Sequence, residues 1–256
     1  MFDVDRVLTG KTSFDDYRPE FTTEKEIVMP SVSAYAPELF ESLPTFNQAK
    51  QNLSIHQSKL EKFGRVLHAY NLSDQLGLAL LHRHFDLSPD ERLVEKIDVA
   101  RGESVGTPRR TDASCAILPH LFRAAINEND GTSVWFPLEF ADITDDDGTM
   151  TRRYAEFAGN TEFLNEFAKV LHEEEATDVI GLAIFHGRED ISCKTDEVLN
   201  ESTDEIHRTL IMRPSKAAEI GVTSTPTLWR FDGNKILMSC TCPTDPDGDH
   251  AHRESN

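Results

Sequence analysis

The stretch LGLALLHRHFD, residues 76–86, is the part of the sequence that decides the predicted fold. Its apolar run over residues 76–81 has the length of a strand and falls well short of the ~20 apolar residues that cross a membrane. Apolar side chains at both odd and even positions are typical of a strand that is buried on both faces. Residues 78–86 are therefore predicted to form a central strand, which carries His82 and His84 near its end.

A long helix is predicted directly upstream of this strand. Eight apolar or aromatic positions between residues 46 and 70 are spaced by three and four, which places them on one stripe of a helix of about seven turns. They are Phe46, Ala49, Leu53, His56, Leu60, Phe63, Leu67 and Tyr70. Such a stripe suits either packing on a sheet or a coiled-coil seam. Packing on a sheet is favoured, because the run covers only about three heptads and contains Gly64.

Further strands are predicted downstream. They lie at residues 114–118, 133–143, 179–186 and 205–212, and a final hairpin joins residues 227–231 and 236–242 through the turn signal Asp232-Gly233. One helix between them is capped by Thr161 and buries a stripe that contains Phe163 and Phe167. Residues 88–99 are left open between a capped helix and an edge strand, and residues 101–110 are predicted to form a loop.

The order of these elements does not alternate regularly between strand and helix, which argues against a parallel architecture. The predicted fold class is α+β: a single domain with a mostly antiparallel sheet, a long N-terminal helix and one central helix packed on the sheet. Residues 1–30 are predicted to form an N-terminal arm, residues 31–243 the domain, and residues 244–256 a flexible acidic tail. No internal repeat is recognised.

The composition is strongly acidic. The 256 residues include 45 acidic and 26 basic side chains, which gives a formal net charge of −19. A surface of this sign repels nucleic-acid phosphates and anionic lipids, so neither nucleic acid nor a membrane is an expected partner. The chain opens without the features of a secretory signal and has only four cysteines, so a cytoplasmic protein with reduced thiols is expected. A small molecule is the expected partner, and a homodimer is left open.

The histidines at positions 82 and 84 are the strongest functional feature. Residues two apart in a strand point to the same face, so His82, His84 and Asp86 are expected to line up. Two neutral imidazoles on one face form part of a metal site that suits zinc, iron, copper or nickel. The predicted ligands are His82, His84, Asp86 and Glu139, and the expected cofactor is a divalent transition metal, zinc or iron. A metal-free acid–base pair and a purely structural pair are the alternatives.

Other histidines could complete this site. His186 ends an apolar strand in the same way as His82, so the two converge if their strands are neighbours. The predicted catalytic residues are accordingly His82, His84 and His186, since histidine exchanges protons near neutral pH. His120 and His207 are weaker candidates.

Two cysteines form a second constellation. Cys240 and Cys242 share one face of the last predicted strand, and the pair His250 and His252 follows in the tail. Four such ligands suit zinc in principle, but the usual Cys-x-x-Cys spacing is absent. Cys240 and Cys242 are therefore retained as weaker site candidates, for a metal or for a thiol-dependent role.

The segment LLHRHFDL, residues 80–87, followed by Glu91-Arg92-Leu93-Val94, resembles a stretch of uncharacterised fungal proteins. The resemblance is confined to residues 80–94. It implies a fungal source, and it carries over no activity and no catalytic residue.

Two functional hypotheses follow from these features. The first is a small-molecule enzyme with a histidine-lined, metal-dependent pocket on a sheet, whose reaction class is unresolved. The alternative is a non-catalytic binding or protein-interaction domain, which the striped helix at residues 46–70 and the acidic surface support. If the stripe packs on the protein's own sheet, that helix offers no interface for a partner.

Overall fold

The computed structural model describes residues 31–98, 100–127, 130–186, 197–216, 224–232 and 235–242. The predicted arm at residues 1–30 and the predicted tail at residues 244–256 lie outside these ranges. The helices within them are α1 (Pro37–Glu41), α2 (Phe46–His56), α3 (Leu60–Ala69), α4 (Thr149–Gly159) and α5 (Thr161–Glu173). The strands are β1 (Ser31–Val32), β2 (Leu76–Leu80), β3 (Glu91–Asp98), β4 (Glu103–Arg110), β5 (Ile117–Ile126), β6 (Ser133–Asp142), β7 (Ile180–Ile184), β8 (Glu197–Asp204), β9 (Thr209–Lys216), β10 (Thr225–Asp232) and β11 (Lys235–Cys242).

Ten of these strands close into a barrel of mixed parallel and antiparallel pairs. Their order is β6-β3-β4-β9-β8-β11-β10-β2-β7-β5, and β5 pairs with β6 to complete the circle. Strand β1 pairs in parallel with β6 and is not part of the circle. The prediction of an α+β domain with a mostly antiparallel sheet was therefore wrong. The pairs β3–β6 and β8–β11 are parallel, and closure depends on contacts between distant strands that local patterns do not report.

The prediction of a long N-terminal helix was also wrong. A 3₁₀ turn at Gln57–Lys59 separates α2 from α3. The predicted central helix corresponds to α5, and α4, which precedes it, was not predicted. The predicted stripe is nonetheless buried from Phe46 to Leu67, with Tyr70 half-buried. The 3₁₀ turn lies between two buried positions, so it leaves the spacing of the stripe unchanged and is invisible in the pattern.

The bounds of several strands differ from the prediction. Strand β5 spans Ile117–Ile126 rather than residues 114–118, and β8 was not predicted. Strand β2 ends at Leu80 rather than at residue 86, and residues 101–110, predicted as a loop, contain β4. Strand β9 starts at Thr209, after the turn that joins it to β8. Gly106 and Pro108 suggested a loop, but β4 pairs along its whole length with β3. Of the two alternatives for residues 88–99, a helix or a strand, the structure therefore shows a strand, β3.

The chain contains an internal repeat, contrary to the sequence-based expectation. Residues 60–82 read LEKFGRVLHAYNLSDQLGLALLH, and residues 164–186 read LNEFAKVLHEEEATDVIGLAIFH, with ten identical positions at a constant offset of 104. Each segment runs from a helix, α3 or α5, through a tight turn into a strand, β2 or β7. The turns match as well, since Asn71 and Glu175 occupy equivalent positions and both adopt a positive φ, 57° and 55°.

The pairing of the strands shows that the two halves are related by a pseudo-twofold axis. Leu78 of β2 lies opposite its own counterpart Leu182 of β7, and Val105 of β4 lies opposite its counterpart Ile211 of β9. The remaining pairs are duplicated too: β3–β6 matches β8–β11, and β5–β7 matches β10–β2. Each half therefore contributes five strands to one closed sheet, and the axis passes between β2 and β7 and between β4 and β9.

The closed sheet separates two apolar cores. The outer core packs α3, α4 and α5 against outward-facing side chains such as Leu78 and Leu182. The inner core lies within the barrel and includes Ala79, Leu93 and Leu199. Neighbouring residues of β2 belong to different cores, as the pleat of a strand requires. None of the helices in the described ranges is both long enough and apolar enough to cross a membrane.

Two glycines allow the strands at the pseudo-twofold axis to approach their neighbours. A Cβ atom on Gly77 would lie 2.7 Å from the Trp229 carbonyl oxygen, and one on Gly181 would lie 2.6 Å from the Phe122 carbonyl oxygen. Gly77 and Gly181 are equivalent in the repeat, and the obstacles, Trp229 and Phe122, pair with Leu78 and Leu182 in the same way. A side chain at either position would therefore push two strands of the barrel apart.

Replacement of either glycine by alanine is expected to destabilise the barrel. Gly77→Ala and Gly181→Ala should each lower the free energy of unfolding by roughly 1–3 kcal/mol, because a backbone carbonyl cannot move aside as a flexible side chain can. Chemical denaturation measures the effect. Gly159→Ala is the matched control, because nothing lies within 4 Å of a Cβ there, and a helical alanine in place of glycine should stabilise by about 0.4–1 kcal/mol. Equal stability of all three variants would contradict the close approach.

A salt bridge between the halves should make stability depend on pH. The Arg208 guanidinium binds both oxygens of Glu91, at 2.6 and 3.0 Å, and this hydrogen-bonded pair lowers the pKa of Glu91 to about 2. Because the pKa is lower in the folded state, the contribution is complete above the unfolded value near 4.5 and is lost as pH falls toward 2.

Glu91→Gln is therefore expected to cost about 1 kcal/mol of unfolding free energy at neutral pH, a figure already reduced for the partial exposure of Arg208. The difference from the wild type should shrink in urea titrations as pH falls below 4.5. Glu61→Gln is the control, since Glu61 is exposed and 4.0 Å from Arg65. A difference that persists unchanged at pH 3 would show that Glu91 does not act through its charge.

Candidate metal centre

His82 and His84 enter the barrel just beyond the end of β2. The chain leaves the sheet after Leu80, yet both imidazoles are buried, and their ring centroids are 4.6 Å apart. The His82 Nδ1–H donates a hydrogen bond to the Leu80 carbonyl oxygen at 2.9 Å, since a carbonyl can only accept. The ring of Phe46, 5.2 Å away, packs against the same imidazole. His82 is thus held with its Nε2 atom directed at the groups inside the barrel.

The first cluster consists of His82, His84 and Glu201, and we call it the His82 group. Glu201 Oε1 lies 3.4 Å from His82 Nε2 and 3.2 Å from His84 Nδ1. The other carboxylate oxygen accepts hydrogen bonds from the Thr227 hydroxyl at 3.0 Å and from the Cys240 thiol at 3.6 Å. Glu201 comes from β8, so the cluster joins residues of both halves.

The second cluster consists of Glu95, His120 and His186, and we call it the His186 group. Glu95 Oε2 lies 3.2 Å from His186 Nε2 and 3.5 Å from His120 Nε2. The Ser104 hydroxyl donates a hydrogen bond to the other oxygen of Glu95. The side chains of all three residues of the group are almost fully buried, and the two imidazole centroids are 4.4 Å apart.

Glu139 of β6 lies between the two groups. Its Oε1 atom is 3.7 Å from His84 Nε2, and its Oε2 atom is 3.8 Å from His120 Nε2. His84 in turn contacts Glu201 through its other ring nitrogen. A continuous line of buried polar groups therefore runs from Glu201 through His84 and Glu139 to His120.

The repeat explains why the two groups resemble each other. His82 corresponds to His186, and Glu201 corresponds to Glu95, so each group pairs a histidine of one half with a glutamate of the other. The β-bulges are duplicated as well: β5 is irregular around Leu121 and β10 around Leu228. A bulge re-aims side chains, and here it places His120 in one half and Thr227 in the other.

The chemistry of the two halves has diverged at the bulges and on the strands opposite them. His120 in the first half stands where Thr227 stands in the second, and Glu139 stands where Cys240 stands. His84 supplies a second imidazole to the His82 group, where the bulge offers only a hydroxyl. Each group consequently contains two imidazoles and one carboxylate, but the second imidazole comes from different positions, His84 in one group and His120 in the other.

The electrostatics around His82 favour its protonated form in the absence of another cation. Burial by itself lowers the pKa of His82. The hydrogen bond and the charge of Glu201, the hydrogen bond to the Leu80 carbonyl and the charge of Glu139 together raise it by more, so the net pKa lies above the usual value. The site therefore attracts positive charge. A proton on the imidazole and a metal ion bound to it are alternative ways to provide that charge.

The space beside the clusters is small. A cavity of about 40 Å³ lies among His82, His84, His120, Glu139 and Glu201. A single water requires about 10–15 Å³ on the same measure, so the cavity has room for an ion with one or two small molecules. Apart from Thr227 and Cys240, its remaining walls are apolar side chains, such as Ala79, Leu121, Ala183, Leu210 and Leu228.

Two larger pockets reach the clusters from outside. One of about 350 Å³ is lined by His84 together with two carboxylates, Asp86 and Glu205, and two arginines, Arg83 and Arg208, so its charges balance. Another of about 350 Å³ is lined by His186 together with acidic residues, among them Asp142 and a run at positions 145–147. Acidic linings concentrate cations, so the pocket at His186 has a charge suited to the entry of a metal ion.

Most of the predicted site residues come together. His82, His84, Glu139, His186, His120 and Cys240 all line the barrel interior or belong to the clusters. Asp86 does not: its side chain is 80% exposed and pairs with Arg83, because β2 ends at Leu80 and the alternation on which the prediction relied stops there. His207 is exposed in a turn beside Asp204, and Cys242 is buried outside both groups.

Sequence reasoning missed Glu95 and Glu201, the carboxylates on which both groups are built. Each is a glutamate near the middle of a strand, and the strands read ERLVEKID and EVLNESTD. Aligned as repeats, the two segments share Glu91 and Glu197, Leu93 and Leu199, Glu95 and Glu201, and Asp98 and Asp204. Recognition of the repeat would have marked Glu95 and Glu201 as equivalent positions, as it would His82 and His186.

Comparison of the chain with protein-family models, with curated protein sequences and with solved structures gives no match.

The burial of the thiols makes their reactivity a test of the closed barrel. In a Cys193→Ser background, a thiol reagent should modify Cys115 quickly, because Cys115 is partly exposed. Cys240 and Cys242, each 1% exposed, should react only after unfolding, which a time course with and without denaturant would show. Rapid modification of all three thiols in the native protein would mean that the interior is open to solvent.

Proposed function

We propose that this chain is a metal-dependent enzyme that acts on a small molecule and holds a divalent transition metal in the His82 group. The observation that carries the proposal is the position of three ligand atoms, from His82, His84 and Glu201, within 4.8 Å of one another inside the barrel. Ligands that share one metal at about 2.0–2.2 Å lie roughly 3 Å apart. The contacts of 3.2 and 3.4 Å to Glu201 are close to that separation.

The orientation of His82 supports metal binding. Histidines that bind metals commonly donate their other N–H to a backbone carbonyl or a carboxylate, which fixes the tautomer and aims the free nitrogen. His82 does so through Nδ1 and Leu80, and this leaves Nε2 toward Glu201. His84 offers Nδ1 to the same carboxylate, while its Nε2 faces Glu139. The contacts of the other ring nitrogens, with the Leu80 carbonyl and with Glu139, are of the kind that orients histidine ligands around a metal.

The ligand set also favours catalysis over a purely structural metal. Two histidines and one carboxylate leave coordination positions open, as in non-haem iron oxygenases and in catalytic zinc sites. Iron and zinc are therefore the favoured metals. Such a metal polarises a bound oxygen atom or lowers the pKa of a bound water, and Glu139 and Thr227 are the groups that would exchange protons or hydrogen bonds beside it.

The competing hypothesis, a non-catalytic interaction domain, loses its main support. The stripe that suggested a partner interface is buried in the protein's own outer core, from Ala49 in α2 to Leu67 in α3. By contrast, burial of several ionisable groups in one cavity costs folding free energy, which is typical of residues retained for function.

Metal analysis of the purified protein tests the proposal. After incubation with Zn²⁺ or Fe²⁺ and desalting, plasma mass spectrometry should find bound metal. The metal should also raise the midpoint temperature of thermal unfolding, since a free-metal concentration of 100 times Kd adds about 2.7 kcal/mol to the free energy of unfolding. The variant His82→Ala/His84→Ala should lose the metal of this group and the part of the stabilisation that this metal provides.

His207→Ala is the matched control, because it removes an imidazole beside a carboxylate outside both clusters. It should keep the metal content and the thermal shift of the wild type. Circular dichroism establishes that the variants are folded. Failure of both ions to bind or stabilise the wild type, or a double variant with undiminished metal content, would refute the proposal.

A further inference from the structure

We infer that the barrel binds a second metal ion, held by Glu95, His120 and His186 with Glu139 as a fourth ligand. The inference rests on the proposed metal site in the His82 group and extends it to the other half of the repeat. The ligand atoms of Glu95, His120 and His186 lie within 4.8 Å of one another, the same criterion that the first group meets. This second group again presents two imidazoles and one carboxylate.

The repeat provides an independent argument for equivalence. His186 follows β7 as His82 follows β2, and Glu95 occupies the position in β3 that Glu201 occupies in β8. The histidine–glutamate distances are alike, 3.2 Å for His186 and 3.4 Å for His82. If this pair forms the base of a metal site in one half, the same pair with the same spacing forms one in the other.

Glu139 gives the second group a more complete set of ligands than the first. Its Oε2 atom lies 3.8 Å from His120 Nε2, on the side of the imidazole that also faces Glu95. In the first group, the place of Glu139 is taken by Cys240, whose thiol donates to Glu201. The second site is therefore expected to bind the harder, oxygen-preferring divalent ions more tightly than the first.

The two sites are separate but connected. Strands β2 and β7 are antiparallel, so His82 and His186 leave opposite ends of the pair. The connection runs through His84 and Glu139. His84 Nδ1 faces the first site, and its Nε2 atom lies 3.7 Å from Glu139 Oε1. The other oxygen of Glu139 faces the second site. His84, a ligand of the first metal, contacts Glu139, so a metal bound to Glu139 changes the surroundings of His84. Metal binding at one site should therefore affect the metal affinity of the other site.

The balance of charge also favours two ions. The clusters and their link contain three carboxylates, and burial of uncompensated carboxylates is expensive. One divalent ion compensates two of the three charges, whereas two ions compensate all three and leave one positive charge for a bound hydroxide or another anionic oxygen ligand. The ligand class expected at both metals is accordingly a small oxygen donor, which the narrow cavity admits.

Titration with Co²⁺ tests the inference on the full chain, since absorbance in the visible range reports nitrogen and oxygen ligands around cobalt. The wild type should bind two equivalents. The variant His82→Ala/His84→Ala should bind one, and His120→Thr should also bind one. Threonine is chosen because Thr227 occupies the equivalent bulge in the other half, so the fold accommodates it. Glu139→Gln should weaken one of the two binding steps by roughly 10–100-fold.

The outcomes separate this inference from the proposed function. Saturation of the wild type at one equivalent, lost in the His82/His84 variant and kept in His120→Thr, would overturn the second site and leave the first intact. Absence of any Co²⁺ binding would overturn both. The control variant His207→Ala should bind two equivalents. The second site would also be overturned if His120→Thr bound two equivalents and Glu139→Gln bound Co²⁺ with unchanged affinity.

Discussion

The antiparallel pairing of β2 with β7 is the interaction on which the rest of the structure depends. Leu78 and Leu182 face each other across the pseudo-twofold axis, and ten backbone positions pair in register. Gly77 and Gly181 let the next strands approach on both sides, so the pair joins β10 to β5 and the two halves become one closed sheet. The direction of the pair also sends His82 and His186 out of opposite ends, where each meets a glutamate from the other half.

The interior of the barrel reconciles two opposing requirements. Apolar side chains of the inner core exclude water, which strengthens electrostatic interactions among the groups that remain. Ionisable side chains in the same space are costly unless opposite charges lie close by. The arrangement of imidazoles around Glu95, Glu139 and Glu201 meets both requirements, because histidine is compact and can carry either a proton or a metal.

The sequence predicted a useful part of the site and little of the architecture. His82, His84, His186 and Glu139 stood out because they are polar residues in or directly after apolar strands, and the structure places them together inside the barrel. Asp86 was grouped with them because the alternation was extended beyond the true end of β2, and the structure places its side chain outside both groups. Barrel closure was out of reach, since it depends on pairs such as Leu93 with Glu139 that no local pattern encodes. The repeat, in contrast, was legible in residues 60–82 and 164–186, and self-comparison would have led to Glu95 and Glu201.

The crossed origin of the two groups has a consequence for ancestry. A single copy of the repeated unit carries the histidine of one group and the glutamate of the other, so it forms neither group alone. Two identical copies in a symmetric dimer would form both, with the same ligands in each, as closed twofold assemblies require. Fusion of the copies into one chain removes that requirement. Equivalent positions of the two halves now carry different residues, such as His120 and Thr227, or Glu139 and Cys240. Two identical chains could not differ at these positions, whereas the two halves of one fused chain can.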